Sequence, residues 1–212
     1  APAQDGLASH RLTIIWEIAL PVRFSLAADG PPEAVEIYFA HPQAFEQCST
    51  YLTAKLPRGQ VSFTNSNTES AEKLLQHSGG APAAAIVPHD YGRAHPELVV
   101  AEDIQDFPDN TTRFLVIRRA VPEERHDLTR KKTSLLIVPE KDYPGLLHDL
   151  LTIFHKHAIN LIRLESRPFK VTPWTYVFYI DIDNNAHSEA CLADLQTTPN
   201  EITVLGSYDR LE

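Results

Sequence analysis

Thr133-Ser134-Leu135-Leu136-Ile137-Val138 is followed by Glu140-Lys141-Asp142-Tyr143-Pro144-Gly145 and then by Leu146-Leu147-His148-Asp149-Leu150-Leu151-Thr152-Ile153-Phe154-His155-Lys156-His157. The first run is apolar and of strand length. The last carries Leu146, Leu147, Leu150, Ile153 and Phe154 at the helical period, one stripe that faces a sheet. Working outward, Asn160 to Ser166 and Tyr176 to Asp183 read as strands, Ser188 to Leu195 as a helix, and Ile202 to Ser207 as a final strand. That order, βαββαβ, predicts a ferredoxin-like unit over residues 133–212. Within Tyr176 to Asp183, Tyr176, Phe178, Ile180 and Ile182 point one way, and Val177, Tyr179, Asp181 and Asp183 the other. The spacing predicts a sheet with helices on one face and a half-exposed second face.

Upstream, Pro122-Glu123-Glu124-Arg125-His126-Asp127-Leu128-Thr129-Arg130-Lys131-Lys132 is charged and nearly without apolar residues, so it reads as the seam between domains 1–121 and 133–212. Before the seam, strands and helices alternate. Thr13 to Leu26 reads as strand interrupted at Pro21, and Val35 to Phe39 as a short strand. A helix carrying Phe45, Cys48, Leu52 and Leu56 follows. Val61 to Phe63 is a strand, and a helix capped by Ser66 or Thr68 carries Ala71, Leu74 and Leu75. Ala83 to Val87 and Leu98 to Ala101 complete the set. The alternation predicts α/β layers with a largely parallel sheet.

The chain has 212 residues, 43% of them hydrophobic, enough for two modest cores and too apolar for a disordered chain. With 19 Lys+Arg against 28 Asp+Glu, the net charge of -9 repels nucleic acid and anionic membranes, so an anionic ligand needs local donors. The run Ile14 to Leu20 is interrupted by Glu17 and far too short to span a bilayer. No secretory signal precedes it, which implies a cytoplasmic location. Cys48 and Cys191 read as buried small residues rather than a disulfide framework. Trp16 and Trp174 read as packing residues. The histidines at 148, 155 and 157 lack the accompanying Cys or carboxylate of a metal site. The chain contains no methionine, which predicts that it is part of a longer one.

Two features of the C-terminal unit suggest a ligand. Gly145 opens a helix whose first N–H groups can bind a carboxylate, although Pro144-Gly145 taken alone reads sooner as a plain turn. Glu165-Ser166-Arg167-Pro168 ends the second strand. Together, in the βαββαβ order, Gly145-Leu146-Leu147-His148 and Glu165-Ser166-Arg167-Pro168 resemble the phenylalanine-binding version of the ACT regulatory domain. The resemblance implies L-phenylalanine as effector, held by Gly145, Leu146, Leu147, Glu165, Ser166, Arg167 and Pro168, and self-association through ACT domains as a dimer or tetramer. One departure is Ala158, where the family has glycine, so a non-glycine residue must take a left-handed cap.

Asp109-Asn110-Thr111-Thr112-Arg113-Phe114 resembles the Thr-Arg-Phe signature of the prephenate dehydratase family, whose chains commonly continue into such an ACT domain. Trp16-Glu17-Ile18-Ala19-Leu20-Pro21-Val22 and His41-Pro42-Gln43 resemble that family's Gly-Glu-Ile-x-Leu-Pro-Ile strand and its Ser-His-Pro-Gln helix entry. The likeness implies a periplasmic-binding-protein-like (type II), two-lobed α/β catalytic region, with its N-terminal part missing here, followed by the ACT domain. It implies prephenate as substrate and phenylpyruvate as product, with neither metal nor cofactor. Thr112 would serve the leaving hydroxyl in a crevice poor in water, with Gln47 lining the pocket. Helix N-termini after His41 and near Ser66 would supply anion donors. Arg113 would either neutralise a substrate carboxylate or pair with Asp106 or Asp109. Ala40 replaces the family's serine and removes a hydroxyl. That departure keeps a non-catalytic phenylalanine sensor as the rival, and an upstream chorismate mutase as a third arrangement.

Overall fold

The computed structural model describes residues 6–7, 11–121, 126–168 and 176–211, and their strands gather into two sheets. Two compact units result, one from Ala1–Ala19 with Arg113–Glu212 and the other from Leu20–Thr112. This division differs from the charged seam at 122–132. The reason is strand pairing: β1 (Leu12–Pro21) lies against the last strand of the chain and carries its N-terminal part into the C-terminal unit.

In the unit Leu20–Thr112, β2 (Phe24–Ala28), β3 (Ile37–Ala40), β4 (Gln60–Phe63), β5 (Ala83–Pro88) and β6 (Val99–Ala101) form a sheet in the order β4-β3-β5-β2-β6. β3 runs parallel to β4 and β5, whereas β2 runs antiparallel to β5 and β6, so the sheet is mixed rather than largely parallel. Ala83, Ala84, Ala85, Ile86 and Val87 are fully buried, as a strand covered on both faces requires. One apolar cluster takes Leu26, Tyr38, Ala40, Cys48, Leu52 and Ile86; the other takes Phe39, Ala71, Leu74, Ala85 and Val87. The expected helix after His41 is two short ones, α1 (Pro42–Gln47) and α2 (Ser49–Lys55). They part at Cys48, whose φ of -120° and ψ of 12° are not helical, because Asp106 captures the start of the second through Ser49 Oγ at 2.9 Å and Thr50 N at 3.1 Å. α3 (Asn67–Gln76) is capped by Ser66, and α4 (His89–Ala94) follows β5.

In the other unit the order is β7-β1-β11-β8-β10-β9, from β7 (Thr111–Arg119), β8 (Lys132–Val138), β9 (Leu161–Pro168), β10 (Tyr176–Asp183) and β11 (Glu201–Leu211). The predicted βαββαβ order holds, with α5 (Leu146–Lys156) and α6 (Ser188–Gln196) on one face. Leu135, Ile137, Leu150, Phe154, Phe178, Ile180 and Leu195 fill that side. The second face is not half-exposed. Val177, Tyr179 and Asp181 are 4%, 6% and 6% exposed, and Val177 and Tyr179 pack with Leu7, Ile14, Leu136, Leu205 and Tyr208. β11 makes this possible by serving two partners, with Tyr208 opposite Lys132 of β8 and Asp209 opposite Trp16 of β1. Cys48 and Cys191 are both buried, and burial pushes their thiols up to about 12 and about 11. Among the described residues no helix is long and apolar enough to cross a membrane. Trp174 lies outside the described residues.

Candidate functional site

The parallel strands of the unit Leu20–Thr112 deliver three helix starts to one edge of the sheet, where α/β folds commonly bind ligands. Ala40 ends β3 directly opposite Phe63, which ends β4, and the Thr64 N–H reaches the Ala40 carbonyl at 3.0 Å. His41 caps α1, its Nδ1 accepting from the Gln43 N–H at 3.3 Å. Ser66, not Thr68, caps α3 by accepting from Glu69 N–H at 3.0 Å, while Glu69 Oε2 accepts from Asn65 N–H at 2.7 Å. The pair resembles a capping box shifted by one residue, since Glu69 reaches the N–H of Asn65 and not that of Ser66, and it leaves the Ser66 hydroxyl proton available to a ligand. Beneath it Thr64 and Ser70 share a buried hydrogen bond of 2.7 Å. His89 starts α4 beside them, its N–H bonded to the Arg23 carbonyl at 3.0 Å.

A loop crossing the same edge leads to Thr112. Asp103 pairs with Arg23, which lowers the Asp103 carboxyl chiefly through the hydrogen bond from the guanidinium. The Ile104 N–H reaches the Phe24 carbonyl at 3.0 Å, and Gln105 Oε1 accepts from Phe24 N–H at 2.9 Å. The Asp106 N–H bonds the carbonyl of Gln47 at 2.7 Å, and Val22 N–H bonds that of Asn110 at 2.8 Å. Gln47, at the end of α1, is thus tied through the backbone to the loop whose exit is Thr111-Thr112. Asp106 is a residue the sequence reading missed in this role; an acidic side chain distant in sequence from the helix it caps leaves no local signal.

Thr112 itself is exposed, which corrects the expectation of a water-poor crevice around its hydroxyl: it begins β7, the edge strand of its sheet, and none of the described residues covers it. Ala40 is fully buried within the apolar cluster. The hydroxyl that serine would supply there belongs to the interior as much as to the edge. Arg113 pairs with neither Asp106 nor Asp109. Its Nε stands 2.7 Å from Glu17 Oε2, its Nη1 pairs with Asp181, and its Nη2 donates to the Tyr208 hydroxyl at 2.5 Å. The guanidinium is committed to internal partners. A cleft of about 190 Å³ in the C-terminal unit, lined in part by Thr13, Trp16, Arg118 and Arg130, holds none of the predicted site residues.

The predicted effector residues lie toward one end of their sheet. Ser166 of β9, Phe178 of β10 and Ile137 of β8 are in register, so the end of Glu165-Ser166-Arg167-Pro168 lies at the edge from which β8 departs toward Gly145. Gly145 takes φ of +100° as the residue before α5, and no side chain caps that helix. A Cβ at Gly145 would meet nothing within 4 Å. Glycine is there for its backbone. Leu146 is buried in the core and Leu147 packs partly against it, so Leu146 offers a ligand its backbone rather than its side chain. Arg167 donates Nε to Glu165 Oε1 at 2.5 Å, and its guanidinium lies 5.3 Å from the Tyr179 ring centre. Glu165 also pairs with Arg163. Burial works to raise the Glu165 carboxyl, but the hydrogen bond from Arg167 and the charges of Arg163 and Arg167 hold it below its ordinary value. Ser166 and Pro168 are exposed.

Comparison with known proteins gives these sites a family. A prephenate dehydratase family model matches residues 1–122, and an ACT domain model matches residues 140–199. The bifunctional chorismate mutase/prephenate dehydratase of Aquifex aeolicus is 36% identical over 211 residues, covering 97% of this chain and 56% of that one. The prephenate dehydratase of Methanocaldococcus jannaschii is 32% identical over 207 residues, covering 97% of this chain and 74% of that one. The crystal structure of prephenate dehydratase from Arthrobacter aurescens in complex with L-Phe superposes with a TM-score of 0.81 at 32% identity, covering 99% of this chain and 70% of that one. The chain spans little more than half the length of the bifunctional relatives. With the catalytic-region model matching over half of its residues, this chain belongs to the prephenate dehydratase family.

Proposed function

We propose that the protein containing this chain converts prephenate to phenylpyruvate and that L-phenylalanine regulates it through the ACT domain. The electrons of the ring–carboxylate bond move into the ring as carbon dioxide leaves, and the ring expels its hydroxyl, which departs as water after taking one proton. Aromatisation drives the step. The protein's part is to hold the substrate carboxylates and to donate a hydrogen bond to the departing oxygen, the role assigned to the Thr112 hydroxyl. His41, Ser66 and Gln47 are assigned to substrate binding. Arg113 is not, since Glu17, Asp181 and Tyr208 occupy it.

The observation that carries this reading is the convergence on one sheet edge of the starts of α1, α3 and α4 with the loop leading to Thr112. It lies in a region matched by the prephenate dehydratase model. Because Thr112 is exposed, the reaction needs a further wall over it, supplied from outside the described residues. The same exposure, with Ala40, favours the rival reading of a phenylalanine sensor without turnover. Phenylpyruvate formation from prephenate by the full-length protein separates them: turnover is expected, and binding of L-phenylalanine without any turnover defeats the enzyme reading.

The effector reading draws support from the uncapped α5 start at Gly145 beside the Ser166 end of β9, and from the L-Phe complex of the Arthrobacter aurescens relative. Residues 1–121 and 133–212 are proposed as the two inherited modules, in keeping with the model matches at 1–122 and 140–199. Self-association through the ACT sheet is supported by the edge position of β9, with Ile162, Leu164 and Tyr176 exposed beside it. A cytoplasmic location is proposed on the charged, water-soluble nature of prephenate and L-phenylalanine. Calorimetric titration with L-phenylalanine and light scattering test the effector and the assembly.

A further inference from the structure

Four charged side chains meet inside the C-terminal unit. The side chains of Glu17 and Asp181 are 5% and 9% exposed, and those of Arg113 and Lys132, which pair with them, are 27% and 23% exposed. Two negative charges face two positive ones. Lys132 Nζ stands 2.8 Å from Glu17 Oε1, while Arg113 takes Glu17 Oε2 and one oxygen of Asp181. Ser134 donates to the other oxygen of Asp181 and lies 2.6 Å from the Tyr208 hydroxyl. Since the Ser134 proton goes to Asp181, the Tyr208 proton goes to Ser134, and the Tyr208 oxygen accepts from Arg113. The donors from Arg113, Ser134 and Tyr208 close a ring with Asp181 in which each of these protons has one acceptor. Burial, and then the charge of Asp181, push the Tyr208 phenol up to about 12, so it keeps its proton at neutral pH.

Such a cluster is weak evidence for stability, because apolar replacements of buried ion pairs are often as stable; its best-attested use is to fix a register. The strand it holds here is β7. Glu17 comes from β1, Asp181 from β10 and Tyr208 from β11, so three strands grip one side chain. Strand alternation turns Arg113 inward and its neighbours Thr112 and Phe114 to the opposite face, where both are exposed. A slip of one residue would strip buried Asp181 of its cation and leave Glu17 with Lys132 alone.

We infer that Arg113 is a positioning residue for Thr112, and that Asp181 and Tyr208 of the ACT sheet set turnover by holding Arg113 without touching substrate. The inference rests on the prephenate dehydratase reading. Its test uses the full-length protein and the variants Tyr208→Phe and Asp181→Asn, read by prephenate turnover, by thermal melting and by amide exchange over residues 111–119. Tyr208→Phe keeps the buried ring and loses only the hydroxyl, so it decides the matter if Asp181→Asn does not fold. Expected are a fall in kcat of about tenfold with KM changed less than about twofold, and faster exchange confined to 111–119. Unchanged kcat overturns the inference, as does a fall in kcat accompanied by faster exchange throughout the chain. A wild-type protein without turnover defeats the parent reading instead, an outcome distinct from variants that match an active wild type.

Discussion

Gly206 of β11 passes so close to Ile14 of β1 that a Cβ built on it would stand 2.2 Å from the Ile14 carbonyl oxygen and 2.8 Å from its amide nitrogen. Its φ of +154° is also one that side chains rarely adopt. The clash is with backbone, which cannot swing aside. Gly206→Ala is therefore expected to cost about 3 kcal/mol or more, through separation of β1 from β11. Urea unfolding would show a lower midpoint; a midpoint within experimental scatter of wild type would mean that the strands part without cost.

Ala158 makes the opposite case. It holds φ of +51° after α5, with its N–H on the His155 carbonyl at 3.0 Å and the Ile159 N–H on that of Phe154 at 3.0 Å. This is a Schellman cap with alanine where glycine is favoured. Ala158→Gly should raise stability by about 1 kcal/mol, since the relief of left-handed strain exceeds the entropy that glycine adds to the unfolded chain. A lower melting temperature for the variant would contradict the strain argument.

Thr112→Val tests the assignment of the leaving-group donor. The side chain is exposed, so stability should change by less than about 0.5 kcal/mol, while turnover of the full-length protein falls about a hundredfold, the scale of one lost transition-state donor. L-phenylalanine affinity should not move. Wild-type rates in the variant would transfer the role to another residue.

Glu17 gives the fold a pH dependence of known sign. Burial acts to raise its carboxyl, but the hydrogen bond from Lys132 and the charges of Arg113 and Lys132 prevail and hold it below the ordinary 4.5. A carboxyl lowered on folding contributes its stability in full above the unfolded value and loses it as pH falls from there through the folded value. The stability difference between wild type and Glu17→Gln should thus be largest above the ordinary carboxylate range and shrink as pH falls below it. Denaturant titrations across that range check it; a difference that grows on acidification would assign the wrong sign to the pair.

The sequence by itself determined the local order of elements: strand-length apolar runs, the helical stripe of α5, the turn at Gly145, a cap at Ser66 or Thr68 and the strained cap at Ala158 each depend on residues within a few positions of one another. It also carried the short runs, Thr-Arg-Phe and Glu-Ser-Arg-Pro, by which the family is recognised. Only the tertiary structure decided that β1 and β7 join the C-terminal sheet, that Asp106 splits the helix after His41, that the second face of β10 is buried, and that Arg113 closes on Glu17, Asp181 and Tyr208. These partners are far apart along the chain, 95 positions in the case of Arg113 and Tyr208. Hydrophobic periodicity reports which face of an element is buried, not which distant strand or charge will lie against it.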